Sequence, residues 1–403
     1  MKVALLGYGT VGSGVVEVIG ANKESIDKKA GVPIEIKYVL DLREFPGDPV
    51  NDLIVHDFKQ IAEDDEVEIV AEAMGGVEPA YTFAKTCLTS GKSYLTSNKE
   101  LVALHGAELL ELARKNNVNF LFEASVGGGI PIIRPLNQCL TADEICEITG
   151  ILNGTTNFIL TKMKNEGRSF EDVLKEAQAL GYAEKNPAAD VEGYDACRKI
   201  AILASLALGE HVSFEEIPTE GITKITAEDM AYAEKMGYVI KLLATCKKQD
   251  DAVFARVSPM LISKNHPLAM VNDVFNAIFV NGNVIGDVMF YGRGAGKLPT
   301  ASAVVADIVD AAKHKGTNII SFWSRKKIEL KDQSDVRVRY FVRVKDNEEV
   351  INKVKENFKD AEVIEAMPGE YAFITGYYTE GIFAEKMEIL QDTNVLSKIR
   401  IEK

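Results

Sequence analysis

The first third of the chain alternates short apolar runs with longer segments of helical period, and this pattern predicts parallel strands separated by helices. The predicted strands are Lys2–Leu6, Ile34–Leu40, Glu68–Ala73, Ser93–Thr96 and Asn119–Glu123. Helix patterns such as Pro79–Ser90 and Leu101–Asn116 lie between these strands. We therefore expect an α/β fold that begins with a doubly wound domain.

From about Thr141 the pattern changes to helices followed by a run of strands. Four strands are predicted at Tyr238–Cys246, Val253–Pro259, Ala277–Val280 and Val284–Tyr291. Asn281-Gly-Asn283 predicts a hairpin between the last two. A sheet with helices on one face is a common substrate-binding and dimer-forming layer, so we expect an α+β substrate-binding and dimerisation domain here.

The tail from Val336 has strand and helix patterns in the order βαββαβ, which predicts a small ferredoxin-like domain. A polar, mixed stretch before it is interpreted as a linker. The predicted segments are a dinucleotide-binding domain at 1–135 to which 297–315 return, a substrate-binding and dimerisation domain at 136–296, a linker at 316–335 and the tail domain at 336–403.

A glycine motif directly follows the first strand and opens the first helix: Gly7, Gly9 and Gly12, with Thr10 and Val11 inside it. The first glycine permits a tight turn, the second lets a pyrophosphate approach the backbone, and the third lets helix and strand pack closely. The helix N-terminus then faces the phosphate. The motif predicts dinucleotide binding in a Rossmann-type domain; the alternative is a glycine turn in another βαβ unit.

Polar residues follow the next strands at the edge where ligands collect in open α/β sheets. Asp41 ends the second strand and favours NAD through the adenosine ribose, whereas Arg43 lies close enough to bind the 2′-phosphate of NADP. Gly75 and Ser97 follow the third and fourth strands. Lys99 comes next, as a cofactor or substrate contact or as a surface lysine. The choice between NAD and NADP stays open.

Three acids and a lysine follow a helix pattern that ends at Gly181. Glu184 lies in an irregular run, and Asp190 is predicted as the N-cap of a new helix. That helix carries Asp195 and Lys199 four residues apart, so both project from one face. Burying such groups costs desolvation energy, which is typical of functional sites. The alternative is a set of surface ion pairs on a capped helix.

Two further glycine-rich loops are candidate ligand sites. Glu123 is followed by Val126, three consecutive glycines and Ile130, a run that suggests backbone carbonyls around a ligand or a hard cation, or else a flexible hinge between domains. A second loop ends at Gly296, just before a helix whose N-terminus can face a ligand. The alternative for this second loop is a plain connection.

Composition narrows the function. The 403 residues, 46% hydrophobic and 26% charged, are typical of a soluble globular protein of two or three domains. A net charge of −14 argues against nucleic acid or an anionic membrane as the main partner. Five cysteines without CxxC spacing favour a reducing cytoplasm, and five scattered histidines predict no zinc cluster.

On these residues the sequence resembles homoserine dehydrogenase, from residue 1 to about residue 312. The most specific motif is AQALGYAEKNPAADVEGYDACRK, which runs from Ala177 to Lys199. The other matching motifs are GYGTVG at 7–12, TSNK at 96–99, EASVG at 123–127, GILNGTTN at 150–157 and GAGKLPTAS at 294–302.

The resemblance implies reversible NAD(P)H-dependent reduction of L-aspartate 4-semialdehyde to L-homoserine, on the way to threonine, methionine and isoleucine. It makes Lys199 the proton donor to the aldehyde oxygen and places Lys99 beside nicotinamide and substrate. Glu184 and Asp195 would hold the substrate's amino end and orient Lys199, with Asp190 supporting the same network.

The resemblance also implies ligand contacts elsewhere. Together with the motifs above, it gives a cofactor set of Gly7, Gly9, Thr10, Val11, Gly12, Asp41, Arg43, Gly75, Ser97, Lys99, Gly181 and Gly296. Gly181 is also expected beside the substrate. A monovalent cation, usually sodium, is implied at Glu123, Val126, Gly128 and Ile130, where it would organise the domain junction.

Some features depart from the family pattern. Leu40 stands where many members carry an arginine that meets the 2′-phosphate. The tail resembles an ACT domain, an amino-acid-sensing module, but its first loop, Lys345–Val350, lacks the usual Pro-Gly. Threonine feedback is therefore a hypothesis. A homodimer or homotetramer is implied.

Two alternative functions have sequence arguments against them. A saccharopine-type amino-acid dehydrogenase would leave the acid–lysine motif unexplained. A non-catalytic regulator that binds NAD and an amino acid is disfavoured by the joint presence of Lys99, Glu184, Asp195 and Lys199.

Overall fold

The computed structural model describes residues 1–391 and 394–402, and the chain divides into two compact units that are interleaved in sequence. Unit 1 contains Met1–Ile148, Arg198–Glu216 and Asn276–Glu329. Unit 2 contains Thr149–Cys197, Ile217–Phe275 and Leu330–Lys403. The four predicted segments stay a prediction, because each unit combines parts of several of them.

The elements are named in chain order. Those of the first 121 residues are β1 (Lys2–Leu6), α1 (Thr10–Ala21), α2 (Lys23–Ala30), β2 (Glu35–Leu40), β3 (Ile54–Val55), α3 (Lys59–Ala62), β4 (Val67–Glu72), α4 (Ala80–Thr89), β5 (Ser93–Thr96), α5 (Lys99–Lys115) and β6 (Phe120–Leu121). Those of the middle are β7 (Ile145–Ile151), α6 (Gly154–Glu166), α7 (Phe170–Ala179), α8 (Ala188–Val191), α9 (Tyr194–Leu208), β8 (Glu210–His211), α10 (Ala227–Lys235), β9 (Tyr238–Gln249), β10 (Ala252–Ser263), β11 (Phe275–Gly282), β12 (Gly286–Arg293) and α11 (Lys297–Lys313). Those of the last 80 residues are β13 (Ser324–Lys327), β14 (Arg337–Lys345), α12 (Glu348–Asn357), β15 (Glu362–Ile364), β16 (Glu370–Ile374), β17 (Tyr378–Thr379), α13 (Glu380–Leu390) and β18 (Val395–Ile401).

A six-stranded parallel sheet forms the centre of unit 1, in the order β3-β2-β1-β4-β5-β6. This is the strand order of dinucleotide-binding folds, in which ligands bind where the order reverses, between β1 and β4. The predicted doubly wound domain is confirmed. The sequence pattern missed β3, because a strand of two residues has no measurable periodicity.

Helix α11 packs against α1 within unit 1. Gly14 of α1 lies so close to α11 that an added Cβ would be 2.9 Å from both the Ala301 Cβ and the Lys297 carbonyl oxygen. Buried side chains of α11, including Val304 and Ile308, belong to the same core as Val15 of α1. The chain therefore returns to the β1–α1 turn after residue 296.

The stretch 316–335, interpreted from its polarity as a linker, contains ordered structure. Strand β13 lies in it and pairs in parallel with β8. Trp323 immediately before β13 is 5% exposed and packs its ring against Gly106 of α5. Asn119 adds hydrogen bonds to Thr317 and Ile319, so several contacts tie this polar stretch to the rest of unit 1, which composition alone did not indicate.

Unit 2 contains a sheet whose neighbours run β9-β10-β18-β14-β16-β15. Strands β9 and β10 form an antiparallel hairpin, and β18 pairs in parallel with the end of β10. The tail strands β18, β14, β16 and β15 are antiparallel neighbours with α12 and α13 between them in sequence. Apart from the additional two-residue strand β17, which pairs with β14, the tail has the predicted βαββαβ order. No helix among the described residues combines the length and apolarity needed to cross a membrane.

A buried ion cluster joins the tail to α10 inside unit 2. The Arg343 guanidinium of β14 donates to Asp229 Oδ1 at 2.7 Å and to the Thr226 hydroxyl at 3.1 Å. It also donates twice to the Glu370 carboxylate, at 2.7 and 3.0 Å. The Arg343 and Asp229 side chains are 5% and 0% exposed. Because both are desolvated, each depends on the other for its charge to be tolerated.

We expect Arg343→Met to destabilise the protein by about 3–5 kcal/mol, since it leaves the Asp229 carboxylate buried without its cation. Equilibrium urea unfolding followed by circular dichroism measures this change. Lys353→Met in α12 is the matched control, because Lys353 pairs with Glu349 on the helix surface and its loss should cost less than about 0.5 kcal/mol. Equal effects of the two substitutions would contradict the assigned role of the cluster.

Candidate functional site

The first glycine turn has the geometry that a dinucleotide requires. Gly7 has a φ of +93°, which favours glycine, and a Cβ on Gly12 would lie 2.0 Å from the Gly7 carbonyl oxygen. Nothing lies within 4 Å of a Cβ built on Gly9. The turn is thus closed by the first and third glycines and open at the second, where a pyrophosphate would approach. Thr10 and Val11 form the first turn of α1.

A cavity of about 390 Å³ opens beside this turn, at the carboxyl ends of β1, β2 and β4. Its lining residues are Gly7, Gly9, Leu40, Asp41, Leu42, Arg43, His56, Phe58, Ala73, Met74, Pro79 and Phe83. Phe58 and Phe83 stack with ring centroids 3.9 Å apart. The largely apolar lining and aromatic wall suit a planar heterocycle such as adenine.

Asp41 and Arg43 lie together at the rim of this cavity. Asp41 Oδ2 accepts from the Tyr8 backbone N–H at 2.8 Å, and Arg43 donates to both carboxylate oxygens at 2.9 Å. The Arg43 guanidinium holds the pKa of Asp41 well below its usual range. The Arg43 side chain is 61% exposed, so it can leave the acid and turn towards solvent. The two residues predicted at the ribose end of the cofactor therefore both line this cavity.

Glu72, which sequence analysis did not single out, holds the neighbouring loops. Its carboxylate is fully buried and accepts from the backbone N–H groups of Met74 and Gly75 and from the Thr96 hydroxyl at 2.6 Å. Burial raises the pKa of Glu72. The Glu72 carbonyl accepts from Ser97 N–H at 3.3 Å. The signal in the sequence that could have revealed this role of Glu72 was an acidic residue inside an otherwise apolar strand.

Lys99 is the first residue of α5 and is half-buried. Asn98 caps this helix, because its Oδ1 accepts from Glu100 and Leu101 N–H at 3.1 Å. The Asn98 amide also donates to the Gly76 carbonyl. The helix start that carries Lys99 is therefore fixed to the loop after β4, on the same sheet edge as the glycine turn.

In unit 2, one side-chain amide joins two of the predicted acids. Asn153 Nδ2 donates to Asp190 Oδ1 at 2.7 Å and to Asp195 Oδ2 at 2.8 Å. The Asn153 Oδ1 accepts from Thr156 N–H at 2.9 Å and so caps α6. Asp195 is 3% exposed and Asn153 6%. The structure thus brings Asp190 and Asp195 together through a residue that the site prediction did not include.

The prediction that Asp190 caps the helix carrying Asp195 is wrong. Asp190 lies inside the short helix α8, which ends before Gly193, and α9 begins afresh at Tyr194. Gly193 has a φ of +85°, and its Cβ would be 3.1 Å from Thr219 and 3.2 Å from Val257. This glycine turn, which replaces the predicted continuous helix start, sets the two acids on separate helices.

Gly181 and Glu184 lie on the segment between α7 and α8. Gly181 has a φ of +75° and ends α7, as predicted, while Glu184 is exposed. The Thr155 hydroxyl of α6 donates to the Tyr182 carbonyl at 2.6 Å, and Gln178 donates to the Glu184 carbonyl at 3.0 Å. The segment is held at its base by α6 and leaves the Glu184 side chain facing solvent.

Lys199 lies one helical turn after Asp195 on α9 and is only 8% exposed. The helix continues with the apolar residues Ile200 and Leu203, both fully buried. The alternative of surface ion pairs is contradicted for these two residues, because neither lies on the protein surface. A nearly buried ammonium group has the stronger electrostatic effect on any charge that forms near it.

The predicted cation segment is a buried turn in unit 1. The Glu123 carboxylate accepts from the backbone N–H groups of Ile132, Ile133 and Arg134 at 2.6–2.9 Å. Val126 and Ile130 are each 1% exposed and have apolar side chains, so their contribution to a ligand would come from their carbonyl oxygens. Among the described residues, no cluster of three or more His, Cys, Asp or Glu has the geometry of a metal site.

The two glycine-rich loops touch each other. A Cβ on Gly128 would lie 2.2 Å from the Gly294 carbonyl oxygen, and Gly129 N–H donates to the Arg293 carbonyl at 3.1 Å. Asn276, 2% exposed, packs against Gly294, and in the part of the chain that the structure describes its Oδ1 has no hydrogen-bond partner. Gly296 then caps α11. A buried orphan oxygen beside close-packed backbone is compatible with a bound cation.

Two family models match the chain. The model described as "Homoserine dehydrogenase, NAD binding domain" matches residues 7–123, and the model described as "Homoserine dehydrogenase" matches residues 131–309. Together they cover both the glycine turn and the acid–lysine motif.

Individual relatives agree with the family models. A homoserine dehydrogenase from Bacillus subtilis is 38% identical over 421 residues, which covers 99% of this chain and 97% of the relative. A crystal structure of a homoserine dehydrogenase from Thiobacillus denitrificans has a TM-score of 0.92 at 35% identity, covering 100% of this chain and 98% of that one. A hyperthermophilic archaeal homoserine dehydrogenase mutant, solved in complex with NADPH, has a TM-score of 0.65 at 31% identity, covering 77% of this chain and 97% of that one.

Proposed function

Because this chain belongs to the homoserine dehydrogenase family, we propose how its own residues perform the reversible reduction of L-aspartate 4-semialdehyde to L-homoserine. The chain is an NAD(P)-dependent oxidoreductase, and neither alternative function is favoured by the comparisons. The observation that carries the assignment of the chemistry is the nearly buried Lys199 one turn after Asp195 on α9.

Lys199 is the proton donor in the direction of reduction. A nicotinamide cofactor held at the glycine turn would supply the hydride, and negative charge would then develop on the aldehyde oxygen. The ammonium group at position 199 stabilises that charge and transfers its proton to the oxygen, giving the alcohol. Asp195, one turn earlier on the same helix, orients this lysine. Lys99 assists beside nicotinamide and substrate.

The substrate's amino group is bound by the acids of unit 2. Asn153 donates to both Asp190 and Asp195 and so holds the two carboxylates together. Carboxylate oxygens are the acceptors that a substrate ammonium requires. Glu184, on the exposed segment after Gly181, adds a third acid at this end of the substrate.

We expect Lys199→Met to lower kcat for homoserine oxidation by about 10²–10⁴-fold, because general-acid catalysis typically contributes that much. Absorbance at 340 nm with L-homoserine and NADP or NAD measures the rate and tests the function itself. The matched control is Lys175→Met, since Lys175 lies on the surface of α7 with its side chain 76% exposed.

Three outcomes are distinguishable in this assay. A wild-type protein that binds cofactor without turnover would overturn the proposed function. An active wild type with a fully active Lys199→Met variant would move the proton donor elsewhere, with Lys99 the first candidate. A loss of activity shared by Lys175→Met would indicate a nonspecific effect.

Asp41 and Arg43 provide for both cofactors in this proposal. With NAD, the Asp41 carboxylate accepts from the adenosine ribose hydroxyls. With NADP, Arg43 leaves Asp41 and binds the 2′-phosphate, because a guanidinium matches phosphate geometry. The exposure of the Arg43 side chain and its two hydrogen bonds to Asp41 support this exchange. Leu40 supplies no charge at the position where relatives carry an arginine.

Arg43→Ala should raise KM for NADP by about 10–100-fold, since a charge-assisted hydrogen bond is worth about 1.5–3 kcal/mol. KM for NAD should change little, because Asp41 keeps the ribose contact. Initial rates with each cofactor at saturating homoserine make the comparison. Equal changes in both KM values would show that Arg43 does not recognise the phosphate.

A sodium ion bound by Glu123, Val126, Gly128 and Ile130 is also part of the proposal. The carboxylate of Glu123 already accepts three backbone N–H groups, so these residues would offer main-chain carbonyl oxygens to the ion. The orphan Asn276 Oδ1 beside Gly294 supports the presence of a hard cation near this turn. Its role would be to brace the two glycine loops.

The tail, the assembly and the location complete the proposal. We infer an ACT-like amino-acid-sensing role for the tail from its ferredoxin-like strand order, with threonine as the effector. Homoserine oxidation that is unchanged by millimolar threonine would contradict this. A homodimer or homotetramer and a cytoplasmic location follow from the family and from cysteine usage.

A further inference from the structure

Lys241 is a buried cation that the reaction does not use. It is the fourth residue of β9 and is 3% exposed. Its ammonium group donates to Asn157 Oδ1 at 3.0 Å, to Asn272 Oδ1 at 3.3 Å and to the Val271 carbonyl. These are three acceptors for three N–H donors, and none is a carboxylate. Burying a charge in this way costs desolvation energy, which these hydrogen bonds must offset.

The group that Lys241 organises is the first turn of α6. Asn157, its main side-chain partner, is 2% exposed and donates through Nδ2 to the carbonyls of Val271, Asp273 and Phe275 at 2.9–3.2 Å. The amide of Asn157 thus fixes the loop after β10 to α6, and Lys241 fixes the amide. The orientation of the Asn157 side chain depends on this lysine, which donates to its Oδ1.

The same turn of α6 carries the residue that holds the substrate acids. The Asn157 backbone N–H donates to the Asn153 carbonyl at 3.3 Å. Asn153 in turn donates to Asp190 and Asp195. Two hydrogen bonds therefore connect the Lys241 ammonium to the residue that joins the two acids, and every link lies within unit 2.

We propose that Lys241 is a positioning residue for substrate binding. Through Asn157 it fixes the position of Asn153, which donates to Asp190 and Asp195. All three hydrogen bonds of Lys241 form only when the lysine is protonated. The proposal rests on the proposed function, because it assigns these acids to the substrate's amino group. The donor count gives the dependence on protonation. An ammonium can donate to all three acceptors, whereas a neutral amine has two N–H donors and gives up one of the three hydrogen bonds.

The surroundings place this change in a physiological range. Burial, and to a smaller extent Lys164 of α6, lower the pKa of Lys241 to about 7, while Asp273 of the loop acts in the opposite direction. Met260 lies directly opposite Lys241 on β10 and carries no charge. The lysine is therefore protonated below about pH 7, where it donates all three hydrogen bonds, and neutral above it. KM for homoserine should rise as pH increases through this value.

The experiment measures KM and kcat for homoserine in the wild type and in Lys241→Met, one pH unit below and one above the pKa of about 7. At the lower pH we expect Lys241→Met to raise KM for homoserine about tenfold, in line with the loss of a buried hydrogen-bond network. Its kcat and its KM for the cofactor should stay near the wild-type values, because uniform substrate binding is what is lost. In Lys241→Met, KM for homoserine should no longer rise between the lower and the higher pH.

Lys248→Met is the matched control, since Lys248 is an exposed lysine on the same strand and its loss removes the same charge from β9. This variant should keep the wild-type KM at both pH values. A second variant, Asn272→Ala, removes the third acceptor, so a neutral amine can satisfy the two that remain. It should flatten the pH dependence of KM even if Lys241→Met folds poorly.

The failures of the two proposals are separable. A wild type that does not oxidise homoserine overturns the proposed function. An active wild type whose KM values and pH dependence are reproduced by Lys241→Met overturns the positioning role. If KM for homoserine in Asn272→Ala depends on pH as it does in the wild type, the role assigned to the protonation of Lys241 is overturned.

Discussion

The hydrogen bonds from one amide nitrogen to two carboxylates are the interaction on which the proposed substrate site depends. Two charges about 4 Å apart repel by about 4 kcal/mol at the effective dielectric of a protein, so Asp190 and Asp195 converge only where donors offset that repulsion. Asn153 supplies both donors and also caps α6 with its oxygen. Its orientation is therefore fixed by a helix end as well as by the acids. A residue with fewer polar atoms in this place would lose one of these functions.

Buried cations recur through this acidic chain, and each has a definite set of oxygen partners. Arg343 meets carboxylates and joins the tail to α10, whereas Lys241 meets only amide and carbonyl oxygens. The difference matters physically. A carboxylate partner favours the charged form, while neutral oxygens leave desolvation dominant and bring the pKa of Lys241 down to about 7. The first arrangement gives a permanent link and the second a link that responds to pH.

Much of the fold could be predicted from local pattern. The glycine turn between β1 and α1, the acid after β2 and the βαββαβ tail are each specified by residues close in sequence, and the structure confirms them. Strand β3 was missed because it has two residues. The ordered stretch around Trp323 was missed because its contacts, the Trp323 ring against Gly106 and the hydrogen bonds of Asn119, come from residues distant in sequence. Such features depend on tertiary packing, which periodicity does not encode.

The site was only partly predictable for the same reason. The acids were visible as a motif, but Asn153 acts on residues 37 and 42 positions away, and Lys241 contacts Asn157 across 84 positions. Asp190 was mistaken for a helix cap because the short helix α8, which contains it, is separated from α9 only by a turn at Gly193. Polar residues whose partners are distant in sequence give no local signal of their role.

The most direct measurement is the ratio of kcat/KM for L-homoserine to that for 4-hydroxybutanoate, which lacks only the amino group. If the Asn153-held acids recognise that group, the ratio should be about 10⁴, because a site built to hydrogen-bond an N–H group is left with unpaired acceptors by the analogue. Comparable values for the two compounds would contradict the account, since the two carboxylates would then have no part in recognising the substrate.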